Sequence, residues 1–341
     1  MRKIPVTEAV GSVLCHDITR VIPGKDQYPA YKKGKVISQE DIPGLKDLGK
    51  ENVFVWDSDP DIVHEDDAAL RLAEHACGPG LMWAEPRQGR LNIKARNKGL
   101  FKVRVEQLSL VNNLEDVIFA SLHNNRVVEK DQTVAGTRII PLTIPINKLD
   151  KAEKLCSTPA PLFEIKEFIP YKIGLITSGN EVYKGRIPDA FCPLIRQKIK
   201  PFEAELLEQV LVPDDSELIA QEIEKFIEKG AELIFITGGM SVDADDVTPA
   251  GIKATGADIV FYGAPVLPGS QFMLAYLGQV PICGVPGGAL YARRTTFDLL
   301  LPRIMAGDRI NRAEVMALGH GGLCEECEVC RYPVCSFGKS I

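Results

Sequence analysis

The sequence predicts an α/β protein: a doubly wound, mostly parallel sheet in three α/β/α layers over residues 166–307, preceded by a mixed, β-rich N-terminal region and followed by a cysteine-rich tail. Three observations predict it. From Lys172 onward, short apolar runs alternate with segments of helical periodicity, the signature of βαβ units. Before that, apolar residues alternate or come in short bursts, as in half-buried strands. Beyond residue 307, glycines and four closely spaced cysteines replace the apolar pattern.

In chain order, Ser38 with Asp41 three residues on resembles a capping box. Ile42, Leu45 and Leu48 then share one helical face, and Gly49 closes the helix before a strand at 53–56. His64-Glu65-Asp66-Asp67 opens a helix with favourable negative charge in its first turn and is assigned no site. Residues 91–146 read as β-rich, with a helix expected over 115–122. Thr158-Pro159-Ala160-Pro161 marks a domain boundary. The expected division is a mixed α+β subdomain at 1–75, a β-rich one at 76–165, the α/β domain at 166–307 and the tail at 308–341.

Within the α/β domain a strand is expected at 173–177. A helix follows over 188–209, with Ile195, Ile199, Phe202, Leu206 and Leu207 at helical spacing and a kink at Pro201. A second strand starts at Leu211, and Asp214 with Glu217 caps a helix on which Leu218, Ile219, Ile223, Phe226 and Ile227 fall on one face before Gly230 ends it. A strand at 233–237, a short helix at 248–255, strands at 258–262, 272–276 and 280–284, and a helix over 290–306 complete the pattern.

A chain of 341 residues, 45% hydrophobic, can bury a sizeable core and divides into two or three domains. Neither a secretory leader nor a membrane span is expected, because no charged start leads into an apolar stretch and no long apolar run occurs. The expected location is therefore cytoplasmic. A net charge of −6 argues against broad attraction to nucleic acid or acidic membranes, so an anionic ligand must be held locally. Of nine cysteines, Cys15, Cys77, Cys156, Cys192 and Cys283 are scattered singly and read as buried thiols.

In open α/β sheets the ligand crevice lies beyond the carboxyl ends of the strands. Four segments end there with unusual residues: Thr177-Ser178-Gly179-Asn180-Glu181, Pro213-Asp214-Asp215, Thr237-Gly238-Gly239-Met240-Ser241 through Asp246, and Val285-Pro286-Gly287-Gly288. Glycines there let backbone amides approach an anion, and a following helix adds its positive end. Ser241 offers a hydroxyl to the same space. Asp243, Asp245 and Asp246 would repel a phosphate unless a cation lay between, which suggests Mg²⁺ held by Asp243 and Asp246 together with substrate oxygens. A helix cap is the alternative role for Asp245, Asp246, Asp214 and Asp215. Lys184, Arg186, Arg293 and Arg294 are the nearby cations.

The strand-end motifs TSGNEVYKG (177–185), TGGMSVDADDVTP (237–249), LPGSQF (267–272) and CGVPGGA (283–289) resemble the molybdopterin-binding domain of molybdenum cofactor biosynthesis proteins. The likeness is to molybdopterin molybdenumtransferases of the MoeA and gephyrin type over residues 170–307, with a looser likeness at GSVLCHDI (11–18). The resemblance implies binding of molybdopterin or its adenylylated form and insertion of molybdate with release of AMP, assisted by a divalent cation. It implies Glu181, Asp214 or Asp215, and Asp246 as the catalytic acids. Thr177, Ser178 and Gly179, the cradle Gly238, Gly239 and Ser241, and the wall Pro286, Gly287 and Gly288 would hold the pterin ligand. A client molybdoenzyme and a second copy of the chain are the further partners it implies.

Three departures narrow it. Asn180 stands where the family carries Asp, Leu267 where a lysine is expected, and Gly288-Ala289 where the family has Asn-Pro. They favour, as one alternative, a non-catalytic molybdopterin carrier or sensor; a nucleotide pyrophosphatase resembling the CinA-type domain, which shares the Gly-Gly loop followed by paired acids at Asp245 and Asp246, is the other.

Cys324, Cys327, Cys330 and Cys335 follow C-x2-C-x2-C-x4-C. Thiolates so crowded in a reducing compartment point to metal, either zinc or a [4Fe-4S] cluster, with a disordered thiol-rich tail as the alternative.

Overall fold

The computed structural model describes residues 1–20, 28–56, 59–241, 243 and 246–339. The chain forms two compact units. The first contains residues 1–97, 101–124 and 128–165, and the second Lys98–Leu100, Asn125–Val127 and the chain from Lys166 onward.

In the first unit, strand Arg2–Pro5 pairs antiparallel with Asn52–Val55, and helix Asp41–Asp47 packs Ile42 and Leu45 beneath them. The Asp41 carboxylate accepts from both the amide and the hydroxyl of Ser38, each at 2.8 Å, which is the reaching-back half of the expected box. Further on, strands Leu81–Trp83, Leu91–Ala95, Thr133–Ile139 and Val117–Ser121 form a four-stranded antiparallel sheet in that order. Helices Glu65–Ala76 and Ile146–Ser157 close its core.

The helix expected over 115–122 is therefore a strand, and the helix lies earlier, at Val105–Asn112. Val117 and Phe119 are buried while Ile118 and Ala120 are exposed, a period of two that only a half-covered strand satisfies.

The second unit holds six paired strands: β1 (Lys172–Ser178), β2 (Glu205–Val212), β3 (Leu233–Thr237), β4 (Asp258–Tyr262), β5 (Met273–Leu277) and β6 (Val280–Val285). Their spatial order is β2-β1-β3-β6-β5-β4. The first four run parallel, while β5 and β4 add antiparallel pairs. Helices α1 (Asn180–Tyr183), α2 (Phe191–Ile199), α3 (Ser216–Glu228), α4 (Thr248–Ala254), α5 (Thr296–Met305) and α6 (Arg312–Ala317) complete it.

Two apolar cores lie on opposite faces of this sheet. One is built from Leu175, Phe235, Cys283 and Phe297, the other from Ile176, Ile236, Ile219 and Phe226. Leu175 and Ile176 belong to different cores because successive strand residues point to opposite faces. This is the layered α/β domain that the sequence predicts, with β4 and β5 breaking the parallel order.

Two helix limits differ from expectation. The helix read over 188–209 stops at Ile199, because Pro201 has no amide to continue the ladder and Glu203 turns the chain at φ 57°. Leu206 and Leu207 consequently sit in β2. The last long helix starts at Thr296 rather than 290, where Thr295 and Asp298 close a capping box and the Thr295 amide donates to Asp298 at 2.9 Å.

Cys15, Cys156 and Cys283 are buried, while Cys77 and Cys192 are half-buried. Burial pushes the Cys77 and Cys156 thiols up to about 12 and raises Cys283 as well, so these side chains are inert apolar packing at neutral pH. No described helix is long and apolar enough to cross a membrane.

Candidate functional site

β1 has β2 on one side and β3 on the other, so the crossover direction reverses between β1 and β3. Doubly wound sheets open a crevice at such a point. Register brings the strand ends level: Ser178 pairs with Val212, Thr177 with Thr237, and Thr237 with Val285. All four loops singled out in the sequence therefore leave one edge of one sheet.

The first two loops are joined through Asp214. Its carboxylate accepts from the Ser178 hydroxyl and from the Asn180 amide, each at 2.9 Å. Gly179, between those donors, takes φ 147°, which lets the chain fold around the carboxylate. Asp215, rather than Asp214, caps α3, accepting from the amides of Glu217 at 2.9 Å and Leu218 at 3.1 Å. Two adjacent acids thus have separate jobs, and the expected Asp214 cap is corrected. The expected role of Thr177 is also narrowed, since its buried hydroxyl accepts from Thr237 at 3.1 Å and Gln209 at 3.0 Å. Glu181 stands exposed on α1.

At the third loop the backbone itself is the feature. Gly238 has φ 83°, and a Cβ there would overlap the carbonyl oxygen of Ser178. Gly239 has φ 56°, and its Cβ would stand 2.8 Å from Thr248 Oγ1. That hydroxyl donates to the Gly238 carbonyl at 2.8 Å, while the Thr248 amide donates to Gly239 at 3.1 Å. Both carbonyls are thereby drawn toward α4. Thr248 stands in the TGGMSVDADDVTP motif without an expected role; the signal for it in the sequence is a threonine opening the helix after the Gly-Gly turn.

Ser241 is exposed at the mouth, where Gln271 donates to its hydroxyl at 3.5 Å and Tyr262 donates to the Met240 carbonyl at 3.0 Å. Burial, then the nearby Asp246, raises the Tyr262 pKa, so the phenol stays a donor. Asp246 Oδ2 accepts from the Asp243 amide at 2.8 Å. Asp245 lies outside the described residues. Among the described residues, no group of three or more His, Cys, Asp or Glu side chains is arranged to hold a metal ion.

The fourth loop turns elsewhere. Pro286 is buried, while Gly287 and Gly288 leave room for a Cβ, so packing alone does not demand glycine at either. Gly288, Pro268 and Tyr291 line a cavity of about 480 Å³ whose other walls include all four tail cysteines. The tail is tied down there by the Leu267 amide donating to Gly322 at 2.8 Å and the Cys324 amide donating to Leu267 at 2.8 Å. Arg293 donates to the carbonyls of Cys327 and Glu328, and Arg294 stacks 5.0 Å from the Tyr332 ring centroid. These two arginines therefore serve the tail. Lys184 and Arg186 are exposed beside the first loop.

Two parts of the chain match known protein families. Residues 174–306 match the family described as a probable molybdopterin binding domain, and residues 3–57 match a domain of unknown function. A molybdopterin molybdenumtransferase from Synechococcus elongatus is 30% identical over 146 residues, covering 39% of this chain and 36% of that protein. One from Haemophilus influenzae is 27% identical over 179 residues, covering 50% of this chain and 41% of its own length. A CinA-like protein from Petrotoga mobilis is 33% identical over 88 residues, or 26% of this chain and 22% of that one. The matched region thus spans well under half of each relative.

Proposed function

We propose that the second unit, a domain of the molybdopterin-binding family over residues 174–306, binds molybdopterin or its adenylylated form along the strand-end edge and acts in molybdenum cofactor biosynthesis as a molybdopterin molybdenumtransferase. One observation carries the binding reading. Gly238 takes a left-handed backbone and is fitted so closely against the Ser178 carbonyl that no side chain fits there, so the first and third strand-end loops meet backbone to backbone, as a phosphate-binding turn requires. An anion at that turn would meet backbone amides, and the neighbouring Asp214 carboxylate is already occupied with two donors.

In this reading Gly238, Gly239 and Ser241 hold the terminal phosphate, and Asp214 holds the Ser178–Asn180 loop in shape. A Mg²⁺ ion would offset charge between the carboxylates and the phosphoanhydride. The donors fit it in part: Asp246 Oδ2 is engaged by an amide while its other oxygen and the exposed Glu181 remain, and Mg²⁺ takes one or two carboxylates with substrate phosphates completing the shell. Asp246 and Glu181 would hold it, with Asp243 contributing its amide to orient Asp246. Molybdate is the second substrate.

A carrier without turnover is the second reading, favoured by Leu267, whose backbone binds the tail where a lysine would face phosphate. The short CinA-like match supports a nucleotide pyrophosphatase more weakly. Incubation with adenylylated molybdopterin, molybdate and Mg²⁺, following AMP and active cofactor, separates them. Release of both is expected. Tight binding without AMP would leave the carrier, and hydrolysis of unrelated nucleotides the pyrophosphatase.

A further inference from the structure

The C-terminal segment is the largest chemically loaded feature that the pterin reading leaves unused. It is folded onto the domain: Phe337 is buried in the same core as Phe297, Tyr332 donates to the Asp298 carbonyl at 3.3 Å, and Gly338 donates to Gly321 at 2.9 Å. Cys324, Cys327, Cys330 and Cys335 all face one cavity of about 480 Å³. Buried or not, thiols gathered on one wall by a segment with so little regular structure call for a ligand that holds them, because ordering that backbone costs roughly 1–2 kcal/mol per residue.

Size and spacing narrow the ligand. A structural zinc draws four sulfurs to about 2.3 Å from one atom and usually takes them as two pairs separated by a long stretch. Here three cysteines follow one another at C-x2-C-x2-C, with the fourth shortly after, in a single run. Such a run suits a cubane, whose four iron corners spread the sulfurs over a wider volume. Four thiolates leave the cluster anionic, and Arg293, Arg294 and Arg331 line the same cavity. Arg294 is already placed against the Cys330 thiol and Arg293 against the carbonyls of Cys327 and Glu328. Cys327 and Cys330 are exposed and the four side chains line the cavity without being grouped as a ligand set, so cluster binding would draw their sulfurs together from this arrangement.

We propose that Cys324, Cys327, Cys330 and Cys335 ligate a [4Fe-4S] cluster in the cavity between the tail and the Pro268–Gly288 wall, with Arg293 and Arg294 offsetting its charge. The site is independent of whether the strand-end edge binds a pterin. Full-length protein purified without oxygen should be brown, absorb broadly at roughly 400 nm, and contain about four iron and about four acid-labile sulfide per chain. Cys327→Ser with Cys330→Ser should abolish the colour and the bound iron, whereas Cys192→Ser, outside the segment, should keep both; far-UV circular dichroism checks that each variant is folded. Colourless protein carrying stoichiometric zinc overturns the proposal. So does full-length protein that takes up no iron on anaerobic reconstitution with iron and sulfide, or iron retained in the double variant.

Discussion

At the scale of single residues, Gly238 and His64 show how little freedom a side chain can have. Alanine at 238 meets two penalties, a left-handed backbone costing about 1–3 kcal/mol and an overlap that can be relieved only by moving the Ser178 backbone. Gly238→Ala should therefore lower unfolding free energy by about 3 kcal/mol in urea titrations, and any protein that remains folded should lose pterin binding. His64 is fixed by its donors. The Lys33 ammonium, 2.9 Å away, and the Asp66 amide, 3.2 Å away, can only donate, so Nδ1 accepts and Nε2–H donates to the Cys15 carbonyl at 2.7 Å. Burial, then Lys33, lowers its pKa from the usual 6.5, opposed by the hydrogen bond to the Cys15 carbonyl and then by Asp66 and Asp67. The neutral form is the folded one, so its contribution is intact above 6.5 and is lost as pH falls through the folded value. Burial lowers His16 in the same direction. Stability measured from about pH 7 to about pH 5 should fall, and His64→Gln should flatten the slope. The acidic helix start at Glu65, Asp66 and Asp67 is legible in the sequence, whereas the proton inventory of His64 depends on Lys33, distant in sequence.

At the scale of elements, α3 and the loop before it separate two acids that look interchangeable. Asp215→Ala removes a cap and should cost about 1 kcal/mol in thermal or chemical unfolding while leaving ligand affinity unchanged. Asp214→Ala frees the Ser178 hydroxyl and Asn180 amide and should weaken ligand binding at least tenfold by calorimetry; equal effects of both on binding would remove Asp214 from the site. Sequence pattern assigned the cap to Asp214 because both acids lie within reach of a plausible helix start, and spacing alone cannot tell which side chain the strand end turns inward. The same limit explains 115–122. Its charged start imitates a helix entry, and only pairing with Thr133–Ile139 makes the alternation of Val117 and Phe119 decisive. Conversely, β1, β3 and β6 were legible because strands covered on both faces read as unbroken apolar runs.

At the scale of the whole molecule, the tail belongs to the second unit. Phe337 alone buries a side chain worth about 2 kcal/mol, and the Leu267–Leu323 bridge adds backbone pairing. Ending the chain after Ala317 should therefore reduce the unfolding free energy of this unit by about 2 kcal/mol or more in urea titration, and unchanged stability would mean that the tail is loosely held. Composition made the tail look separate, since its sparse apolar residues carry no period; its docking depends on Leu267 and Arg293, which no local pattern links to it. The register of the four strand ends has a further, temporal consequence. Thr237 must find Val285 across roughly fifty residues of chain before the edge is level, and contacts so distant form slowly because the intervening loop must close first. Helical signal should thus recover in refolding before the ability to capture ligand, and the lag between the two would time the docking of β6.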